Sequence, residues 1–166
     1  MPQKRLCVDT SGLTQPFRTY RQSIFPRLWR DVFEILASGE AAMTQEIFDE
    51  ITAGRGDALT NHVGMCRRQL VLDVGDQQMS GYINVNSAMI GRHRSFVAEY
   101  CNRDDTVGIN DISIIAQAKH LGLPLLSMET SRANSQKRRG IPDICATDGV
   151  RHLEFQDFLE LFNLRY

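Results

Sequence analysis

The chain has 166 residues, 42% of them hydrophobic and 23% charged, which fits a single globular domain spanning residues 1–166 with a substantial core. A formal net charge of −1 and a pI near 6.4 exclude phosphate binding by a general excess of Lys and Arg, so any contact with nucleic acid has to come from a local patch. The opening Met1–Gly12 has no long apolar region and no small-residue cleavage site, and no apolar run approaches membrane-spanning length, so a soluble, cytoplasmic protein without membrane contact is expected. Cys7, Cys66, Cys101 and Cys145 form no Cys-x-x-Cys pair and read as reduced thiols rather than zinc ligands or a disulfide framework.

Lys4 to Asp9 predicts a short first strand, apolar at Leu6, Cys7 and Val8, that stops in the turn formers Asp9-Thr10-Ser11-Gly12. From Pro26 to Ala37 the residues Leu28, Trp29, Val32, Phe33, Ile35 and Leu36 recur at helical spacing, with proline in the first turn and Gly39 where a C-cap belongs. Glu40 to Met43 reads as extended, and Thr44 as the cap of a helix that buries Ile47, Phe48 and Ile51 and ends at Gly54. Between Asp57 and Asp105 the pattern weakens to a helix ending at Gln69, a short strand Leu70-Val71-Leu72, and a helical segment around Met79 to Tyr100. Asn110 to Leu121 predicts a helix through Ile112, Ile114, Ile115, Ala118 and Leu121, closed by Gly122 and followed at once by a strand over Leu123–Ser127. Glu129 to Gly140 is polar, basic and loop-like. A Pro142-led turn or helix, a strand at Val150–Leu153 and a helix from Gln156 to about Asn163 complete the chain.

Strands alternating with helices predict an α/β fold with a mainly parallel sheet and helices on both faces, because parallel strands require crossover connections. Such sheets bind ligands beyond the carboxyl ends of their strands. Asp9 closes the first strand and Glu129 lies just past another, so both emerge at that edge; Asp111 opens its helix and Glu50 ends a helical turn, so all four acids can share one crevice. Crowded carboxylates repel one another unless protons or a cation compensate, and Mg²⁺ or Mn²⁺ suit oxygen-only coordination, which points to phosphodiester hydrolysis with one metal ion or two. Each acid also has a plainer reading, as helix cap or turn residue. Glu46 and Asp49 read as solvated surface, although spacing leaves open which acid of that helix faces the site.

The Asp9-Thr10-Ser11 opening, Phe25-Pro26-Arg27-Leu28-Trp29, Thr44 through Ile51, Asn110-Asp111 leading into Ile114–Ala118, Ser127-Met128-Glu129 and Ile141-Pro142-Asp143-Ile144-Cys145 together resemble a PIN domain. Through Phe-Pro-x-Leu-Trp and Ile-Pro-Asp-x-Cys, the chain is similar to a stand-alone bacterial and archaeal PIN-like branch allied to the VapC toxins. The resemblance implies a three-layer α/β/α PIN-like fold and a Mg²⁺- or Mn²⁺-dependent ribonuclease whose acids fall on Asp9, Glu50, Asp111 and Glu129. It also implies a toxin held by a cognate antitoxin, with self-association into a homodimer as a further expectation. Thr10 and Ser127 match positions that orient ligands or water. The sequence departs from the family in having Glu129 where many members have Asp, and Asn110 where a small residue commonly precedes the third acid.

Arg132, Lys137, Arg138 and Arg139 follow the fourth acid and can supply cations to an RNA backbone; the plainer alternative is a solvated loop. Arg92-His93-Arg94 is a second basic stretch, His62, His120 and His152 lack ligand spacing, and Trp29, Phe25 and Phe33 read as core or interface aromatics rather than base-stacking ones. Two other functions stand beside the ribonuclease. One is a catalytically degenerate PIN-fold binding module. The other is an aspartate-based phosphotransferase, against which Ser11 stands where the haloacid dehalogenase pattern has its second Asp.

Overall fold

The computed structural model describes residues 3–54 and 56–166. Four short parallel strands, β1 (Leu6–Val8), β2 (Ala41–Ala42), β3 (Leu125–Leu126) and β4 (His152–Leu153), form one sheet in the order β2-β1-β3-β4. Cys7 pairs with Ala42 on one side and with Leu125 on the other, and Leu126 pairs with Leu153, so β1 and β3 are the central strands. Their side chains are covered on both faces, with Leu6, Val8, Leu125, Leu126 and Leu153 all buried. Each such side chain contributes about 1.5–3 kcal/mol on leaving water, which compensates for the small number of ladder bonds that strands of two or three residues can make.

The helices are α1 (Thr10–Thr19), α2 (Pro26–Ser38), α3 (Gln45–Thr52), α4 (Ala58–Met65), α5 (Arg67–Leu70), α6 (Tyr82–His93), α7 (Ala98–Cys101), α8 (Ile109–Leu121), α9 (Ile141–Asp148) and α10 (Phe155–Leu161). They flank the sheet in a three-layer α/β/α arrangement, as expected. The expected caps are also present. Gly39 ends α2 with φ of 83°, Thr44 accepts the Ile47 N–H at the start of α3, and Gly122 ends α8 with φ of 67°. Every residue of α8 from Ile112 to Ala118 is buried, because this helix packs against β1 and β3 on one side and is covered by α6 and α9.

Two local expectations are revised. The turn formers after Asp9 open a helix, α1, in which Asp9 is the N-cap and Leu13 and Pro16 are buried. The same residue types serve caps and turns, and only the packing of the following residues on the core selects the cap. The strand expected at Leu70–Leu72 reduces to one parallel bridge between Val71 and Met43 at the sheet edge. Trp29 is fully buried, stacked on Phe155 at 6.0 Å and edge-on to Phe17 at 4.7 Å, while Phe25 stays 40% exposed. The four cysteines are free thiols. No helix among the described residues is long and apolar enough to cross a membrane.

From β1 the chain crosses to β2 on one side and later returns to β3 on the other. The crevice between the carboxyl ends of β1 and β3 is therefore the topological switch point, where open parallel sheets bind ligands.

Candidate active site

Asp9 follows β1 directly and is 3% exposed. Its Oδ2 accepts the Ser11 N–H at 3.0 Å and the Ser11 hydroxyl at 2.6 Å. The Ser11 Oγ in turn accepts the Met128 N–H at 3.0 Å and lies 3.2 Å from the Ser127 Oγ. Because the single Ser11 hydroxyl hydrogen goes to Asp9, Ser127 is the donor between the two serines. The buried Ser127 Oγ also accepts the Glu129 N–H at 3.1 Å. The start of α1 is thus joined to the residues after β3, and Asp9 and Glu129 stand at one edge. Gly12 permits the approach, since a Cβ there would lie 2.7 Å from the Leu126 carbonyl oxygen.

Glu50, on the last turn of α3, connects the other two elements. Its Oε2 accepts the Thr10 hydroxyl at 2.6 Å and its Oε1 accepts the Asn110 Nδ2 amide at 2.9 Å. Thr10 adjoins Asp9 and Asn110 adjoins Asp111, so this one carboxylate holds the start of α1 and the start of α8 together. Asp111 is in the first turn of α8 with its Oδ2 accepting the Gly108 N–H at 2.7 Å, and Glu129 Oε2 accepts the Ile141 N–H at 3.1 Å at the start of α9.

The electrostatics agree with this convergence. The Asp111 carboxyl is pushed up from 3.8 to about 7, first by burial and then by the charges of Glu129, Asp9 and Glu50, against the pull of the Gly108 hydrogen bond. Asp9 is also raised, chiefly by burial and in smaller part by Glu129, while its bonds to Ser11 oppose the shift. None of the ion pairs among the described residues uses any of the four acids. Asp111 Oδ1 and Glu129 Oε1 have no hydrogen-bond donor among the described residues. An oxygen-only donor set with uncompensated charge fits a hard divalent cation. As they stand, however, the described residues contain no group of three or more His, Cys, Asp or Glu side chains already arranged as a metal-binding set. A cation would therefore have to draw the carboxylates inward from the hydrogen bonds that now hold them.

The basic loop is held more firmly than its sequence suggests. Asp143 Oδ2 accepts the N–H groups of Arg132 at 2.7 Å and Gly140 at 2.8 Å, and its Oδ1 accepts the Ser131 hydroxyl. Burial raises the Asp143 carboxyl, but these bonds and the charge of Arg139 outweigh it and hold the group below the ordinary range. Arg139 lies over the Phe96 ring at 4.3 Å and donates to the Ser135 and Arg138 carbonyls. Arg138 donates to the Asp104 carbonyl at 3.1 Å, Arg132 stands 3.6 Å from Asp105, and Lys137 is exposed. Glu46 and Asp49 are exposed, and Asp49 accepts a hydrogen bond from Gln45.

Three residues that organise the crevice carry little signal in the sequence. Ser11 reads as a turn former, Asn110 as a departure from a family pattern, and Asp143 as part of a short motif. A local cue does exist, because Gly-x-x-Asp occurs at Gly108–Asp111 and again at Gly140–Asp143, each Asp accepting the N–H of the glycine that starts its helix.

The fold and crevice define an α/β protein with four carboxylates drawn from separate elements to the switch point of a parallel sheet. The chain belongs to the family described as Domain of unknown function (DUF4411), whose model matches residues 6–166. No curated protein matches the sequence.

Proposed function

We propose that this chain is a metal-dependent endoribonuclease of PIN-like type, the toxin of a toxin–antitoxin pair in the cytoplasm, with Asp9, Glu50, Asp111 and Glu129 holding Mg²⁺ or Mn²⁺. The observation that carries the reading is the Glu50 bridge. Through Thr10 and Asn110 it joins the helices that bear Asp9 and Asp111, and the proton affinity of Asp111 registers the charges of all three other acids. When bound, the ion supplies a water of lowered pKa and neutralises charge on a phosphoryl oxygen.

The chain's own residues set the geometry. Ser11 and Ser127 fix Asp9 against the segment carrying Glu129, while Thr10 and Asn110 fix Glu50. In the metal-free protein the Asp111 carboxyl is raised to about 7, so proton and ion compete for it and metal binding is expected to strengthen as pH rises towards that value. Lys137, with the exposed edges of Arg132 and Arg138, supplies cations to the RNA backbone beside the acids. The antitoxin and a second copy of the chain are the protein partners of this reading.

The test is cleavage of RNA by the purified protein with Mn²⁺ or Mg²⁺, abolished by chelator and by Asp9→Asn and Asp111→Asn. Undiminished cleavage in Asp111→Asn would falsify the assignment. A second reading, a binding module without catalysis, is favoured by one observation: both Glu50 oxygens are already occupied by hydrogen bonds. Calorimetric titration with Mn²⁺ separates the two, since the module gives no heat that depends on Asp9 and Asp111.

A further inference from the structure

Beside the acids, on the far side of Thr10 and Glu50, a cleft of about 510 Å³ opens between α1, the end of α3 and the start of α4. Thr10 and Glu50 belong to both, so the cleft adjoins the crevice at that end. The α1 wall is a single helical stripe, Thr10, Thr14, Phe17 and Arg18, at spacings of four, seven and eight residues. From Thr10 to Arg18 the helix rises about 12 Å. The acids stand at one end of this length and the exposed Arg18, outside every described ion pair, stands at the other.

The lining has the two-sided character of a base pocket. Phe17 supplies the apolar wall, backed by the buried Ile51 and Leu59, and its ring is braced edge-on by Trp29. Away from Arg18, the polar side chains among the described residues of the lining present acceptors. Thr14 donates its hydroxyl hydrogen to the Thr10 carbonyl at 2.9 Å and Thr60 donates its own to the Ile51 carbonyl at 3.4 Å, which leaves the oxygen lone pairs of both. Asp57 uses Oδ1 to accept the Thr60 N–H at 2.8 Å, and its other oxygen has no donor among the described residues.

We infer that this cleft is the subsite for the nucleotide next to the scissile phosphate, and that it selects a base carrying an exocyclic amine (adenine, cytosine or guanine) over uracil. This rests on the ribonuclease reading, because the acids are what put a phosphate at the Thr10 end. Single-stranded bases are recognised by an aromatic or apolar face together with hydrogen bonds along the base edge. A wall of acceptors matches the amino groups of adenine, cytosine and guanine and opposes the two carbonyls of uracil. Arg18 provides the positive charge for the phosphate on the far side.

The test uses the four free nucleosides with the full chain in chelator, so that neither metal nor phosphate contributes. Heteronuclear NMR is expected to show adenosine, cytidine or guanosine shifting the amides of Thr14, Phe17 and Thr60, with uridine at least about tenfold weaker, the discrimination of one good base-edge contact. Asp57→Asn retains a helix cap while exchanging an acceptor oxygen for an amide donor, and Thr14→Val removes an acceptor at nearly constant shape. Each is expected to reduce the preference against uridine. Equal binding of all four nucleosides, or shifts confined to other surfaces, overturns the inference. RNA ends from Mn²⁺ digests keep the two readings apart. Cleavage by the wild type with base preference unchanged in both variants removes the subsite and leaves the nuclease. Nucleoside selectivity without any cleavage removes the nuclease and leaves a base-binding site.

Discussion

Removing the Asp111 carboxylate is expected to stabilise the metal-free protein, and to do so only at neutral and alkaline pH. The carboxyl is raised from 3.8 to about 7 by burial first and by Glu129, Asp9 and Glu50 after it, so the folded state holds this proton more tightly than the unfolded chain does. Below about pH 4 the group is protonated in both states and carries no penalty; as pH rises towards 7 the unfolded chain gives up the proton first and the fold loses stability. Each tenfold change in proton affinity corresponds to about 1.4 kcal/mol, which makes about 4 kcal/mol the ceiling for the rise from 3.8 to about 7. Asp111 is only partly buried, so solvent screening reduces this to about 2 kcal/mol. For a chain of this size that is a rise in Tm of about 4–8 °C.

Asp111→Asn keeps a carbonyl oxygen to accept the Gly108 N–H, so the helix start is retained. Urea and thermal unfolding in chelator should then show the variant above the wild type at pH 8 and level with it at pH 4. Adding Mn²⁺ should raise the wild type and not the variant, because a ligand bound only by the folded state stabilises it by mass action. A variant equally destabilised at both pH values would refute the reasoning, since it would mean that neither burial nor the other three acids penalise the ionised Asp111 carboxylate in the fold.

Gly12→Ala puts a Cβ 2.7 Å from the Leu126 carbonyl oxygen and 2.8 Å from the Leu126 Cγ, which forces α1 off β3. A loss of about 1–3 kcal/mol is expected by chemical denaturation, together with loss of any activity that needs Asp9 beside Glu129. Ser11→Ala leaves the Met128 N–H without its acceptor and removes one of the two donors to Asp9 Oδ2, at a cost of about 1–3 kcal/mol. It keeps the backbone N–H of residue 11, so the cap survives and the measured loss should stay below that of Asp9→Ala. Asp148 is a structural centre away from the acids, its buried carboxylate bound by Lys119 at 2.7 Å, by His93 at 2.5 Å and by Arg92. Burial raises this carboxyl, but the bonds from Lys119, His93 and Arg92 prevail and lower it, so its contribution is present at neutral pH and is lost as pH falls below the ordinary carboxylate range. Asp148→Asn is expected to cost about 3–5 kcal/mol at pH 7, with the difference shrinking in acid.

The sequence determined what depends on neighbours along the chain. The proline and glycine that bound α2, the Thr44 cap of α3, the run of apolar residues in β1 and the Gly122 stop of α8 are all set by local sterics and hydrogen bonding, and each is found where the sequence predicts it. Element alternation was enough to give a parallel α/β sheet, and with it the edge at which Asp9 and Glu129 emerge. Tertiary structure decided the remainder. Whether Asp9-Thr10-Ser11-Gly12 turns or starts a helix depends on Leu13 and Pro16 finding a core to bury in and on Gly12 meeting Leu126 across the sheet. Gly108–Asp111 and Gly140–Asp143 make the contrast plain. The two motifs have the same spacing and the same bond from aspartate to the glycine N–H, yet one carboxyl is driven up to about 7 and the other is held below its ordinary value. Three acids face the first, while Ser131, Arg132 and Arg139 surround the second. Proton affinity depends on charges and burial across space, and those neighbours are brought together only when strands and helices distant in the chain pack into one crevice.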